Sequence, residues 1–266
     1  GFMLSISGLY VLARNYGIRA YISNIGGIAE VGLYSAGFAI VNVYVGMVFT
    51  AMSTDYYPRL SAIAYDNYQA KKLINQQAEI AILILAPLVT SFIVFISWII
   101  VLLYSNRFLP INQMIQWAAL GTFFKAASWS VAFIFLAKGK SKLFLANEFA
   151  GGTISLICHI LGYYWGGLTG MGIGFLVGYF LYLLQVMIVT RKFFNFSFES
   201  QFIKILGFQL LLSILSLIVV IFLVKPLSYF LALPIILLSS FYSYKELDRR
   251  IEIFSIMKNF YSKFKK

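Results

Sequence analysis

The sequence predicts an all-α fold, a polytopic membrane bundle of about eight transmembrane helices with both chain ends in the cytoplasm. Three observations predict it. Of 266 residues, 61% are hydrophobic and only 11% charged, and the mean hydropathy is +0.86, whereas soluble domains are about half apolar and about a quarter charged. Apolar stretches of about twenty residues, the length that crosses a hydrocarbon core of about 30 Å, follow one another almost end to end. Lysine and arginine fall in alternate connections, as they do when cytoplasmic loops retain the cations.

The first stretch, 2–22, is apolar from its start and carries Arg14 and Arg19. It ends at Asn24-Ile25-Gly26-Gly27, a cluster of helix breakers. The second, 31–52, runs into a polar segment, 55–77, in which Tyr56, Tyr57, Leu60, Ile63 and Ala64 give an apolar side and Lys71-Lys72 favour anionic headgroups; this pattern predicts a helix lying at the membrane surface. Stretches 79–104 and 114–137 follow, the latter with Lys125 near its centre. The cluster Lys138-Gly139-Lys140-Ser141-Lys142 closes it. Stretches 143–164 and 168–189 are separated by Gly166-Gly167. A second surface segment is expected at 191–204, with Phe193, Phe194, Phe196 and Phe198. Stretches 205–224 and 227–244 are parted by Lys225-Pro226, and a single re-entrant hairpin would mimic this last pair. The tail, 245–266, spaces Ile251, Phe254, Met257 and Tyr261 at helical intervals among basic residues, a third surface segment.

Cations sort cleanly among these connections. Arg59, Lys71 and Lys72 follow the second stretch, Lys138, Lys140 and Lys142 the fourth, Arg191, Lys192 and Lys204 the sixth, and seven more lie in the tail. The opposite connections hold only Arg107 and Lys225. The net charge of +12 is therefore that of cytoplasmic loops in contact with membrane lipids, and no nucleic-acid partner is expected. Cys158 and His159 are the single cysteine and histidine, which excludes an intrachain disulfide and leaves no metal-ligating cluster. No cofactor motif is present. The chain is apolar from Gly1 onward, with no signal peptide, and it is expected to lie within a longer parent protein.

Charged groups at mid-membrane depth are costly and persist where they face protein, water or an opposite charge. Lys125 is the clearest case, with Ser128 and Trp129 on its helical face. It reads as a cavity cation, against the plainer alternative of a cation–π pair with Trp129. Arg14 lies about ten residues from the nearer span end and reads the same way. Arg19 lies within reach of the headgroups, where it can snorkel. The two arginines are about 140° apart around a helix and share no tight face. Glu148 is a possible proton or ion relay, or an interfacial carboxylate, or a partner of Lys125. His159 is a second possible relay, against the plainer reading of a satisfied core imidazole. Asn42 and Asn147 are expected to bond between helices. Gly170, Gly174 and Gly178, four apart, are expected to let two helices approach closely rather than to cradle phosphate. No nucleophile with a base and no carboxylate pair is visible, so the chain is not expected to be an enzyme.

Several blocks resemble bacterial O-antigen translocases, lipid-linked oligosaccharide flippases of the polysaccharide exporter family within the multidrug/oligosaccharidyl-lipid/polysaccharide superfamily. They are Val31-Gly32-Leu33-Tyr34-Ser35-Ala36-Gly37-Phe38, Thr54-Asp55-Tyr56-Tyr57-Pro58-Arg59-Leu60-Ser61, Ile115-Gln116-Trp117-Ala118-Ala119-Leu120-Gly121, Lys125-Ala126-Ala127-Ser128-Trp129-Ser130 and Leu136-Ala137-Lys138-Gly139-Lys140-Ser141-Lys142. The first two are the most specific. The family pairs two six-helix lobes around a central cavity. The resemblance implies that residues 1–190 are the second lobe, 191–244 two additional helices and 245–266 a basic cytoplasmic tail. It also implies a missing N-terminal lobe as partner and a location in the bacterial inner membrane. The substrate implied is an oligosaccharide repeat unit on undecaprenyl pyrophosphate, moved by alternating access, with Arg14, Lys125, Arg19 and Trp129 as the cationic, substrate-binding wall.

Two rival classes make different demands. A multidrug or organic-cation exporter of the same superfamily wants acidic cavity residues, and this chain offers cations. A membrane polysaccharide polymerase or ligase presents a sizeable outer loop with catalytic arginine or histidine, and the outer connections here are short.

Overall fold

A computed structural model describes residues 2–251. Six α-helices and one 3₁₀ turn account for the described chain: α1 (Phe2–Ile63), α2 (Asn67–Leu103), the turn Asn106–Ile111, α3 (Asn112–Ala137), α4 (Ser141–Phe194), α5 (Ser200–Phe222) and α6 (Leu227–Ile251). All six are long and apolar enough to cross a membrane.

Two of the helices are too long for one crossing, and both break at the glycines that end the predicted spans. In α1 the backbone leaves helical geometry at Gly27 (φ 81°, ψ 174°). In α4 it does so at Gly166 (φ −140°, ψ 16°) and Gly167 (φ 55°, ψ −138°). Positive φ at Gly27 and Gly167 is open to glycine and strained for residues with a β-carbon. The limbs of α4 fold back on each other, for a β-carbon on Gly162 or Gly170 would strike the other's backbone carbonyl, and one on Gly174 would strike that of Cys158. The spacing of Gly170, Gly174 and Gly178 thus serves close packing of two limbs of one helix. In α1, Val11 and Asn42 stand 31 positions apart yet line one cavity, so this helix turns back as well.

α3 occupies the centre. Its buried residues, among them Met114, Ala118, Phe123, Ala127 and Phe135, face α1, α2 and α4, so it has little surface left for lipid. The α3–α4 turn closes with Lys140 N–H donating to Phe135 O at 2.9 Å and Gly139 N–H to Leu136 O at 3.0 Å, the paired bonds that satisfy the last carbonyls of a helix. Asp66 caps α2, accepting from Tyr68 N–H at 2.9 Å and Gln69 N–H at 3.1 Å. Bonds between buried polar side chains join the helices where lipid offers no competing partner: Thr90 with Ser213 at 2.8 Å, Gln209 with Ser239 and Ser243, and Asn147 Nδ2 with Tyr182 Oη at 3.1 Å.

The expected surface helices at 55–77 and 191–204 are not separate elements. Residues up to Ile63 complete α1, and those from Asn67 begin α2. Tyr56 and Leu60 are fully buried, packed with Ile134 and Phe135 in a protein core and not on lipid. Phe194 and Phe196 join the same core. An apolar stripe at a helix end satisfies itself equally on a neighbouring helix, and here α3 supplies one. Of the tail, residues up to Ile251 extend α6, and the rest lies outside the described residues.

The connections sort onto two ends. Lys138 Nζ donates to Asn67 Oδ1 at 2.8 Å and Lys71 Nζ to Ser197 Oγ at 2.8 Å, so the basic connections meet at one end. Tyr163 with Glu30, Thr169 with Gln113, and Trp98 with Tyr229 meet at the other. At the basic end Arg250 ties α6 to α2, its Nε 2.7 Å from Glu79 and its Nη1 2.8 Å from Glu246, with side chains 8–15% exposed. Removing the cation strands the shielded Glu79 carboxylate, while Glu246 keeps Arg249 at 2.9 Å. Arg250→Met is expected to cost about 3–5 kcal/mol, read as a lower thermal midpoint in detergent than for Arg59→Met, whose partner Asp55 is exposed.

Candidate functional site

Both limbs of α1, the middle of α3 and both limbs of α4 surround a cavity of two joined chambers of about 310 and 510 Å³. Val11, Arg14, Lys125, Glu148, Ser155 and Tyr179 line both chambers. The α4 hairpin explains the convergence. It sets Glu148 and Ser155 on one limb against Tyr179 and Tyr182 on the other, while α1 and α3 bring in the cations.

Lys125 projects from the middle of α3. Its Nζ donates to Asn42 Oδ1 at 3.3 Å and lies 5.6 Å from the ring centre of Tyr179 and 5.9 Å from those of Phe49 and Phe175. An ammonium among ring faces is held by their quadrupoles. Trp129 is not among those rings, so the alternative of a pair with Trp129 gives way to a different cage. Helical side chains slope toward the helix N-terminus, which carries the Lys125 ammonium away from Trp129, one turn later in the chain. Trp129 still lines the smaller chamber, packed on Phe49, Tyr56 and Phe133.

Arg14 lines both chambers and Arg19 the larger one. Their separation of about 140° does not keep them apart, because the cavity wraps around that limb. Arg14 Nε is buried without a hydrogen-bond partner. Among the described residues neither Arg14 nor Lys125 has a carboxylate within ion-pair distance. The ion pairs there join Arg59 to Asp55, Arg249 to Glu246, and Arg250 to Glu79 and Glu246.

Glu148 lines both chambers, but its Oε1 accepts from Tyr182 Oη at 2.6 Å and not from Lys125. Gln185 Nε2 donates to Asn147 Oδ1 at 2.9 Å, and Asn147 in turn donates to Tyr182, so the tyrosine hydroxyl is fixed from behind. His159 is 4% exposed, between the rings of Phe38 and Phe175. Its Nδ1 lies 2.6 Å from Ser155 O. A carbonyl only accepts, so Nδ1 carries a proton, and the imidazole lines the larger chamber.

The tyrosines and phenylalanines of the wall were not legible in the sequence. Tyr182 is 34 positions from Glu148, and only the register of the α4 hairpin makes them neighbours. Glu30, tied to Tyr163 beside the glycine break of α1, was missed for the same reason. No cluster of three potential metal ligands occurs among the described residues.

These features define a class: a multi-pass helical membrane protein with a cation-lined cavity between helix hairpins. A family model described as polysaccharide biosynthesis protein matches residues 3–113, a segment that includes Arg14, Arg19 and Asn42 and ends before Lys125. The match is a likeness to that family over this segment. No curated protein and no solved structure matches the chain.

Proposed function

We propose that the chain is part of a flippase that carries oligosaccharide units linked to undecaprenyl pyrophosphate across the bacterial inner membrane. The observation that carries this reading is the pairing of Arg14 and Lys125 on one cavity wall without a carboxylate in contact. A diphosphate is the complementary ligand. It brings two negative charges, and within a low-dielectric cavity their attraction to cations exceeds that in water. The sequence similarity to polysaccharide biosynthesis proteins over residues 3–113 supports the same substrate class.

In this reading α1 and α4 each contribute two crossings, for eight in all, and the basic end faces the cytoplasm. The headgroup enters from that end and meets Lys125 and Arg14. The lobe and its partner lobe rock about the bound group, and the headgroup leaves outward while the polyprenyl chain stays in lipid. No bond is made or broken. His159 lines the larger chamber and is available for a sugar hydroxyl or a proton. A drug exporter of the same superfamily would need acidic groups where these cations stand.

The test is depletion of the full-length protein in its own cells, followed by leaflet-resolved assay of the lipid-linked unit. Chemically complete units accumulating on the cytoplasmic leaflet are expected. Normal outward delivery of unpolymerised units would overturn the reading in favour of a polymerase or ligase, and unchanged distribution would overturn it in favour of a drug exporter or scaffold.

A further inference from the structure

We infer that Glu148 weakens the cavity's hold on its anion by repulsion, so that a headgroup bound at Arg14 and Lys125 can leave again; the inference rests on the anionic-substrate reading above. Glu148 shares the wall of both chambers with those cations. A structural counter-ion would sit in contact with them, because the cost of desolvating charges is offset only at contact geometry. Instead Tyr182 holds the carboxylate at 2.6 Å, and Asn147 and Gln185 hold Tyr182. The chain therefore places a negative charge in the cation cavity and keeps it off the cations. They stay free to receive an anion, and the carboxylate's field opposes that anion once it arrives. With an effective dielectric of about 20, a carboxylate ~10 Å from a dianion weakens its binding roughly a few hundred-fold before screening.

The charged and titratable groups that share these walls with Glu148 are Tyr10, Arg14, Arg19, Tyr34, Lys125, His159, Tyr179 and Tyr182. Glu148 is the one carboxylate among the described residues lining the two chambers, so its field is the one that opposes a bound anion.

The test is binding and dissociation of a farnesyl-diphospho-N-acetylglucosamine probe, a diphosphate diester of fixed charge, on the full-length protein in nanodiscs. Glu148→Gln and Glu148→Ala are both expected to lower Kd at least ten-fold, to slow dissociation by a similar factor and to reduce turnover. Tyr182→Phe keeps the carboxylate and loses only its hydrogen bond, and it is expected to leave Kd unchanged or raised. An unchanged or raised Kd in the two neutral variants would overturn the inference, as would an equal gain in Tyr182→Phe. Failure of the anion reading is separable: wild type and the Arg14→Ala/Lys125→Ala variant would then bind the probe alike.

Discussion

Alanine in place of both Arg14 and Lys125 is expected to reduce surface glycan export to background while the protein still inserts and folds. Truncating one charged partner of a buried, charge-assisted contact costs about 2–5 kcal/mol, so each single variant is expected to lose roughly thirty-fold or more in transport. The stability readout has the opposite sign from that of an ordinary core mutation. Arg14 Nε is buried without a partner, and removing an unsatisfied buried donor relieves desolvation. The Arg14→Ala protein is therefore expected to melt at or above the wild-type midpoint. Lys140→Ala, on an exposed turn, serves as the comparison and is expected to export normally. The measurements are surface glycan on cells and thermal midpoint in detergent. Wild-type export from the double variant would refute the cationic cavity, whatever its stability.

The second large effect is on folding. Gly170→Leu is expected to abolish accumulation of folded protein, and Gly170→Ala to cost more than about 3 kcal/mol. A β-carbon at Gly170 enters the carbonyl of Gly162 on the facing limb of α4. Both are backbone atoms of packed helices, so neither moves without parting the limbs, and overpacking of this kind costs about 1–3 kcal/mol even where side chains can yield. Parting the limbs would also separate Glu148 from Tyr182 and dismantle the cavity wall. Gly207 in α5 has nothing within 4 Å of such a β-carbon, and Gly207→Ala is expected to be neutral or stabilising by up to about 1 kcal/mol. Fluorescence-detected size exclusion with thermal challenge separates these outcomes, and equal yields from the Gly170 and Gly207 variants would remove the close-packed hairpin from consideration.

The breaks of the fold were written locally. Gly26-Gly27, Gly166-Gly167, Lys138-Gly139 and Lys225-Pro226 each mark a turn or break, because helix termination depends on the residues at the break itself. Helical class and apolar span length were legible for the same reason: they follow from composition over twenty residues, and backbone groups in lipid must be satisfied within the segment. The surface segments at 55–77 and 191–204 failed because an apolar stripe does not say whether lipid or protein will cover it. Tyr56 and Phe194 found α3 and its neighbours.

The site divides along the same line. Arg14, Lys125 and Glu148 stand out in sequence because a charge in an apolar run is expensive wherever the run ends up. Their shared cavity, the ring cage around Lys125 and the Tyr182 bond that holds Glu148 off the cations depend on residues far apart in the chain, 34 positions for Glu148 and Tyr182 and 83 for Lys125 and Asn42. Sequence by itself therefore determined the helices, their breaks and the presence of mid-membrane charge. Only the tertiary structure decided which charges meet and which are kept apart, because that depends on the register in which the α1 and α4 hairpins close, and register is a property of the packing of limbs against one another.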